Sequence, residues 1–242
     1  SQLSNQVVLV TGANRGIGRA IVVGALNRGA KKVYAAVRKL DSAASLVSEF
    51  GDRVVPIVLD LEKPETITAA AKVATDANVV INNAGVLSIA GPLAEDAVQS
   101  LEYQVNVNVS GLIRVAQAFA PVLKANGGGA LAQLNSVVSV KTFGSVATYS
   151  ASKAASYAIT QALRQELAGQ GTHVISVHPG PIATDMANDA GFADSAEPAS
   201  VVADGLFEAL QNKSFHVFPD SLAKQFWQGY QGYARAVIEP AP

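Results

Sequence analysis

The sequence contains no cysteine. Disulfide bonds, thiolate metal ligands and a cysteine nucleophile are therefore excluded. Charge is sparse: 15% of residues are charged, and 18 basic against 19 acidic side chains leave a net charge of −1. No basic excess exists to neutralise a nucleic-acid backbone or an anionic membrane, so neither is expected as a partner. No run of about 18 apolar residues occurs, so no membrane-spanning helix is expected. The opening Ser-Gln-Leu-Ser-Asn-Gln has no basic region followed by an apolar one, which argues against a signal peptide. His173, His178 and His216 are scattered rather than spaced as metal ligands, so no metal is expected and each reads as structural. Hydrophobic residues make up 49% of the 242, enough for a large core. A soluble, cytoplasmic globular protein is expected.

Short β-branched runs alternate with helical periodicity. Strands are expected at Val7–Val10, Lys32–Val37, Val54–Leu59, Val79–Ile81, Ala130–Leu134, Val174–Val177 and Phe215–Phe218. Helices are expected at Gly16–Arg28, Ser42–Phe50, Pro64–Ala74, Ala94–Ser100, Val105–Ala125, Tyr149–Leu167 and Pro198–Leu210. Val7–Val10 is apolar at every position, the pattern of a strand covered on both faces. The alternation predicts an α/β fold: one Rossmann-like, doubly wound domain over residues 1–242, with about seven parallel strands and helices on both faces. Ligands of such sheets bind beyond the carboxyl ends of the strands.

Immediately after Val10 comes Thr11-Gly12-Ala13-Asn14-Arg15-Gly16-Ile17-Gly18, opening a helix. Glycines there permit positive φ and close approach of a phosphate, and the helix start offers free N–H groups to an anion. The Lys-Ser/Thr ending of a nucleotide-hydrolysing P-loop is missing. In dinucleotide sites an acid about 20 residues further on binds a ribose 2′-hydroxyl, whereas a base accommodates a 2′-phosphate. Here the second strand carries no acid and ends in Val37-Arg38-Lys39. Arg38, with Arg15 inside the turn, therefore points to NADP(H).

Tyr149 and Lys153 stand four apart at the start of a helix and share a face. A phenol has a pKa near 10, and acid–base work near neutrality asks for a value lower by about three, worth roughly 4 kcal/mol. One ammonium at about 4 Å supplies about that much at an effective dielectric of 20. Lys153 is accordingly expected to make Tyr149 acidic. The strand Ala130–Leu134 ends in Asn135-Ser136-Val137-Val138-Ser139. Ser136 and Ser139 each offer a hydroxyl to a substrate carbonyl at that position. No Gly-x-Ser-x-Gly elbow surrounds them, which disfavours a serine hydrolase.

Together these residues resemble the short-chain dehydrogenase/reductase family, over nearly the whole chain. The glycine turn looks like the family's cofactor turn, Asn82-Asn83-Ala84-Gly85 is its Asn-Asn-Ala-Gly motif, and Pro179-Gly180 followed by Thr184 looks like its nicotinamide-end segment. Ser136 lies thirteen positions before Tyr149, the family's spacing, so the resemblance selects Ser136 over Ser139; Asn108 matches its fourth catalytic residue in preference to Asn106. The resemblance implies that Tyr149 acts as general acid or base, that Ser136 orients the carbonyl, and that Lys153 holds the nicotinamide ribose and lowers the Tyr149 pKa. Asn108 would hold a water for proton relay. It implies NADP(H) contacts from Gly12, Asn14, Arg15, Gly16, Ile17, Gly18 and Arg38, and from Asp60 and Leu61 at the adenine. Asn83, Ala84, Gly85, Tyr149, Lys153, Pro179, Gly180, Ile182 and Thr184 would complete the set.

The expected substrate is a small carbonyl compound or alcohol, in a pocket walled by Leu87, Val137, Val138, Phe143 and the segment from Met186 to Phe192. Residues Thr184–Pro198 look like a lid. Phe226, Tyr230 and Tyr233, with Trp227, form an aromatic helical face that packs on its own domain or on another subunit. The resemblance implies a homodimer or homotetramer. An NADPH-dependent carbonyl reductase is the first functional reading. A 3-oxoacyl-carrier-protein reductase and a non-catalytic nucleotide sensor are the alternatives.

Overall fold

A computed structural model describes residues 3–189, 191, 194 and 196–240. Seven strands form one sheet: β1 (Val7–Thr11), β2 (Lys32–Val37), β3 (Val54–Val58), β4 (Val79–Asn82), β5 (Ala130–Leu134), β6 (His173–Val177) and β7 (His216–Val217). All neighbouring pairs are parallel, in the order β3-β2-β1-β4-β5-β6-β7. The chain winds outward from β1 to β3 and then returns to lay β4 on the other side of β1. That reversal opens a crevice beyond the carboxyl ends of β1 and β4.

The helices are α1 (Gly16–Asn27), α2 (Ala44–Phe50), α3 (Pro64–Val73), α4 (Ala97–Val105), α5 (Gly111–Ala125), α6 (Ala147–Ala168), α7 (Asp185–Asp189), α8 (Ser200–Asn212) and α9 (Ser221–Tyr233). They cover both faces, because alternate strand residues feed two separate cores. Val8 and Val10 of β1 join Ile21 and Val22 of α1 and Phe207 of α8 on one face. Val7 and Leu9 join Ile67 of α3, Phe119 of α5 and Tyr157 of α6 on the other. Every residue of β1 is buried, which is why that strand reads as one continuous apolar run. Burial of each large side chain, such as Phe119 or Phe207, contributes about 1.5–3 kcal/mol.

One helical region departs from the sequence expectation. The sequence pattern ends a helix at Ser100 and starts the next at Val105. The structure instead runs through α4 into a π-turn at Asn106–Ser110 and on into α5 without a break. The extra residue of a π-turn redirects the side chains around it. Here it aims Asn108 inward, toward the segment after β4.

Candidate active site

The first turn follows from three glycines. Gly12 and Gly16 have φ of +62° and +55°, values that suit glycine. A Cβ on Gly18 would collide with the Gly12 carbonyl oxygen and crowd the Asn83 amide. Arg15, the N-cap of α1, makes no side-chain capping hydrogen bond, and the first turn holds no acid. The opening N–H groups of α1 thus face the crevice without a side-chain partner, a cradle that fits a diphosphate.

The Asn-Asn-Ala-Gly segment ties this turn to β4. Thr11 Oγ1 donates to Asn82 Oδ1 at 2.9 Å and accepts from the backbone N–H of Asn83 and of Ala84 at 2.9 and 3.0 Å. Asn83 Nδ2 donates back to the carbonyls of Thr11 and Gly12. Asn108 secures the next stretch: Oδ1 accepts from Val86 N, and Nδ2 donates to Val86 O and Ser152 Oγ, all within 2.9–3.0 Å. Beside it, Gly85 lies close to both Asn108 Oδ1 and Lys153 Nζ.

Ser136 follows β5, while Tyr149 and Lys153 stand one turn apart on α6, all three buried. The Ser136 hydroxyl donates to Pro179 O at 3.4 Å and accepts from Val138 N at 3.2 Å, and it lies near enough to the Tyr149 phenol to lower that group's pKa. Lys153 Nζ lies 5.9 Å from the Tyr149 ring centroid and donates to Leu134 O at 2.8 Å. The alternative serine is occupied: Ser139 Oγ accepts from Ser136 N at 3.2 Å, as a cap that shapes the turn.

The electrostatics correct one expectation. Lys153 does not render Tyr149 acidic here. Burial pushes the phenol up to about 12, and the nearby Ser136 hydroxyl offsets this only in part. Burial likewise pushes the Lys153 ammonium down to about 8. Both groups lose hydration on burial, and that loss is the largest cause of each shift.

At the far end of the crevice, Arg38 is exposed just past β2. Arg15 is also exposed and sits 3.4 Å from Asp185 on α7. Asp60 follows β3 and accepts from Glu62 N at 3.0 Å, with Leu61 buried beside it. After β6, Pro179 and Ile182 are buried, and Gly180 N donates to Asp220, the N-cap of α9. Thr184 packs its methyl toward Gly16. Asn14 and Ile17 complete the first turn, half-buried.

Leu87, Val137 and Val138 pack with Tyr149, Phe218 and the aromatic face of α9 in one apolar cluster. Phe226, Trp227 and Tyr230 of α9 join it, whereas Tyr233 is exposed. Phe143 stacks on Phe226 at 6.4 Å. Met186 is exposed on α7, a helix absent from the sequence expectation, and Phe192 and Ser195 lie outside the described residues. Ile182 forms a parallel bridge with Glu197, and Ala183 N donates to Glu197 O at 2.8 Å. A separate cleft of about 990 Å³, lined by residues including Arg164, His216 and Arg235, contains none of the residues expected to act on substrate.

Sequence reasoning missed what lies behind Ser136. Asn135, Ser156, Thr160, Ser176 and His178 form a buried hydrogen-bonded group there. His178 pairs with Ser136 O across 42 positions of sequence, so only the pairing of β5 with β6 reveals the contact.

Comparison with known proteins agrees with this fold. A sequence-family model described as short chain dehydrogenase matches residues 6–193. An uncharacterized oxidoreductase of Staphylococcus aureus (strain USA300) is 31% identical over 223 residues, 89% of this chain and 95% of that protein. A crystal structure of a short chain dehydrogenase from Burkholderia cenocepacia J2315 in complex with NADP superposes with a TM-score of 0.87. It is 34% identical and the match covers 99% of this chain and 100% of that one. A Burkholderia phymatum short chain dehydrogenase/reductase, in complex with NAD, shares the fold at a TM-score of 0.83 and 21% identity, covering 100% and 99% of the two chains. Among the described residues, no helix is long and apolar enough to cross a membrane.

Proposed function

Since the chain belongs to the short-chain dehydrogenase family of oxidoreductases, we propose that it is an NADPH-dependent reductase of apolar ketones or aldehydes. The observation that carries this reading is the convergence of Ser136 after β5 with Tyr149 and Lys153 on α6, where Tyr149 packs on Val137 and Val138 and Lys153 Nζ donates to Leu134 O at the end of β5. The cradle for the cofactor is the uncapped start of α1 with Gly12, Gly16 and Gly18. Reduced nicotinamide supplies a hydride when bound there.

The chain's own residues supply the rest. Ser136 donates a hydrogen bond to the substrate carbonyl oxygen and stabilises the charge that develops on it. Tyr149, a neutral phenol at any pH below about 12, gives that oxygen its proton. Lys153 is an ammonium below about pH 8 and can hold the nicotinamide ribose while stabilising the phenolate left after transfer. Asn108 holds the backbone at Val86 and positions the α6 segment through Ser152.

Arg38 stands where an acid would select a 2′-hydroxyl, and the Burkholderia cenocepacia relative is bound to NADP; both support NADP(H) over NAD(H). The wall of Leu87, Val137, Val138 and the Phe143–Phe226 stack supports an apolar substrate. The test is NADPH oxidation against a panel of alkyl and aryl ketones, aldehydes and 3-oxoacyl thioesters. Turnover of apolar ketones or aldehydes is expected. Turnover of thioesters alone would replace the substrate class, and binding of NADPH without any turnover would reduce the protein to a nucleotide sensor.

A further inference from the structure

The hydroxyl assigned to the substrate carbonyl sits on a loop whose position is set from behind by a proton chain of fixed direction. The direction can be read from donor and acceptor counts. Thr160 Oγ1 donates its one proton to Ser156 O at 2.8 Å. Its contact with Asn135 at 3.2 Å must therefore be accepted from the amide nitrogen. The Nδ2 side of Asn135 then faces Ser176 Oγ as well, at 2.8 Å, and Oδ1 accepts from Ser156 Oγ at 2.8 Å. Ser176 Oγ, already an acceptor, has its own proton left for His178 Nε2 at 2.8 Å. The proton of the neutral imidazole must then reside on Nδ1, which donates to Ser136 O at 3.0 Å.

The ring has no freedom to turn. It is fully buried, stacks on Phe218 at 4.7 Å with 7° between planes, and meets Tyr157 edge-on at 4.7 Å. Burial pushes the His178 pKa down to about 3, so the ring is neutral at working pH. The second lone pair of Ser136 O accepts from Ser139 N at 3.0 Å, and Val137 N donates to Pro179 O at 3.0 Å. The turns after β5 and β6 are thereby locked together at Ser136.

We propose that His178 is a positioning residue: as an Nδ1–H tautomer fixed by Asn135 and Ser176, it holds the Ser136 carbonyl and so aims the Ser136 hydroxyl. This rests on the reading of Ser136 as the group that holds the substrate carbonyl. The geometric tolerance of such a contact is small, and displacement by about 1 Å is enough to lower turnover about 100-fold.

The test combines a spectrum with a variant series. Nitrogen-15 NMR of the full-length protein should show His178 with a protonated Nδ1 and a bare Nε2; the reverse tautomer overturns the proposal. His178→Phe keeps a stacked ring but removes the donor. It should bind NADPH as the parent does and lose about 100-fold in kcat on the best carbonyl compound from the panel above. His178→Asn returns an N–H near the place of Nδ1 and should recover most of that loss. Ser176→Ala disturbs the packing least and covers the case in which the Phe variant does not fold. It should keep the Nδ1–H tautomer, the form that donates to Ser136 O, and lose roughly fivefold in kcat as the ring loses its partner at Nε2, the equivalent of one neutral hydrogen bond. Parental kcat in His178→Phe or Ser176→Ala, or an Asn variant no better than Phe, overturns the proposal. Ser136→Ala separates the two layers: if it is inactive while the His178 series is not, only this inference fails, and if it is active the reading of Ser136 fails with it.

Discussion

Replacing Lys153 by Met should reveal how much stability the site gives up for its chemistry. Lys153 is 5% exposed, and its amine makes one hydrogen bond, to Leu134 O at 2.8 Å. Its pKa falls from 10.5 to about 8 on folding, which corresponds to about 3 kcal/mol against the charged form. Between about pH 8 and 10.5 the unfolded chain holds more protons than the native one, so this group makes stability rise with pH across that window. At pH 7 the whole penalty is present. The Met variant escapes it, but it leaves the Leu134 carbonyl unpaired at a cost of about 1–3 kcal/mol. Parent and variant should therefore be close in stability near neutrality, or the variant ahead by up to about 2 kcal/mol. Near pH 10.5 the parent should lead by about 1–3 kcal/mol. Urea unfolding of both proteins at the two pH values gives the comparison, with other titrating groups cancelling in the difference. A difference that does not change with pH would refute the claim that a buried ammonium is held at this position.

Reductive turnover at saturating NADPH should be level up to about pH 8 and decline above it as Lys153 loses its proton; an unchanged rate well above that pH would separate Lys153 from catalysis. Arg38→Ala should weaken NADPH binding about 10- to 100-fold, as expected for lost charge-assisted hydrogen bonds, and leave NADH unaffected; equal losses by titration would show that Arg38 does not read the 2′-phosphate. Gly18→Ala should lower stability by about 1–3 kcal/mol through overpacking against the Gly12 carbonyl and abolish NADPH binding. Unaltered nucleotide affinity in that variant would mean that the turn does not form the cradle.

What could be read from the chain, and what could not, divides along the range of the interactions. The continuous apolar run of β1, the glycines after it and the four-residue step from Tyr149 to Lys153 are local, and each appears in the structure where the sequence puts it. The limits of α4 were missed because the π-turn depends on Asn108 reaching Val86, 22 positions away. The fixed orientation behind Ser136 was invisible because it arises where β5 and β6 lie side by side; in the sequence His178 is merely a lone histidine. The Tyr149 pKa was expected to fall because residue spacing conveys proximity to a charge but not loss of water. Burial depends on the whole fold, and it dominates here.

Tyr149→Phe tests the central claim most directly. The variant keeps the ring and its packing in the apolar cluster and lacks only the phenolic hydroxyl. NADPH titration should give the parental dissociation constant, while NADPH oxidation with the best carbonyl substrate should fall by about 10²- to 10⁴-fold, the value of a positioned general acid. Turnover near the parental rate with the cofactor bound would contradict the account.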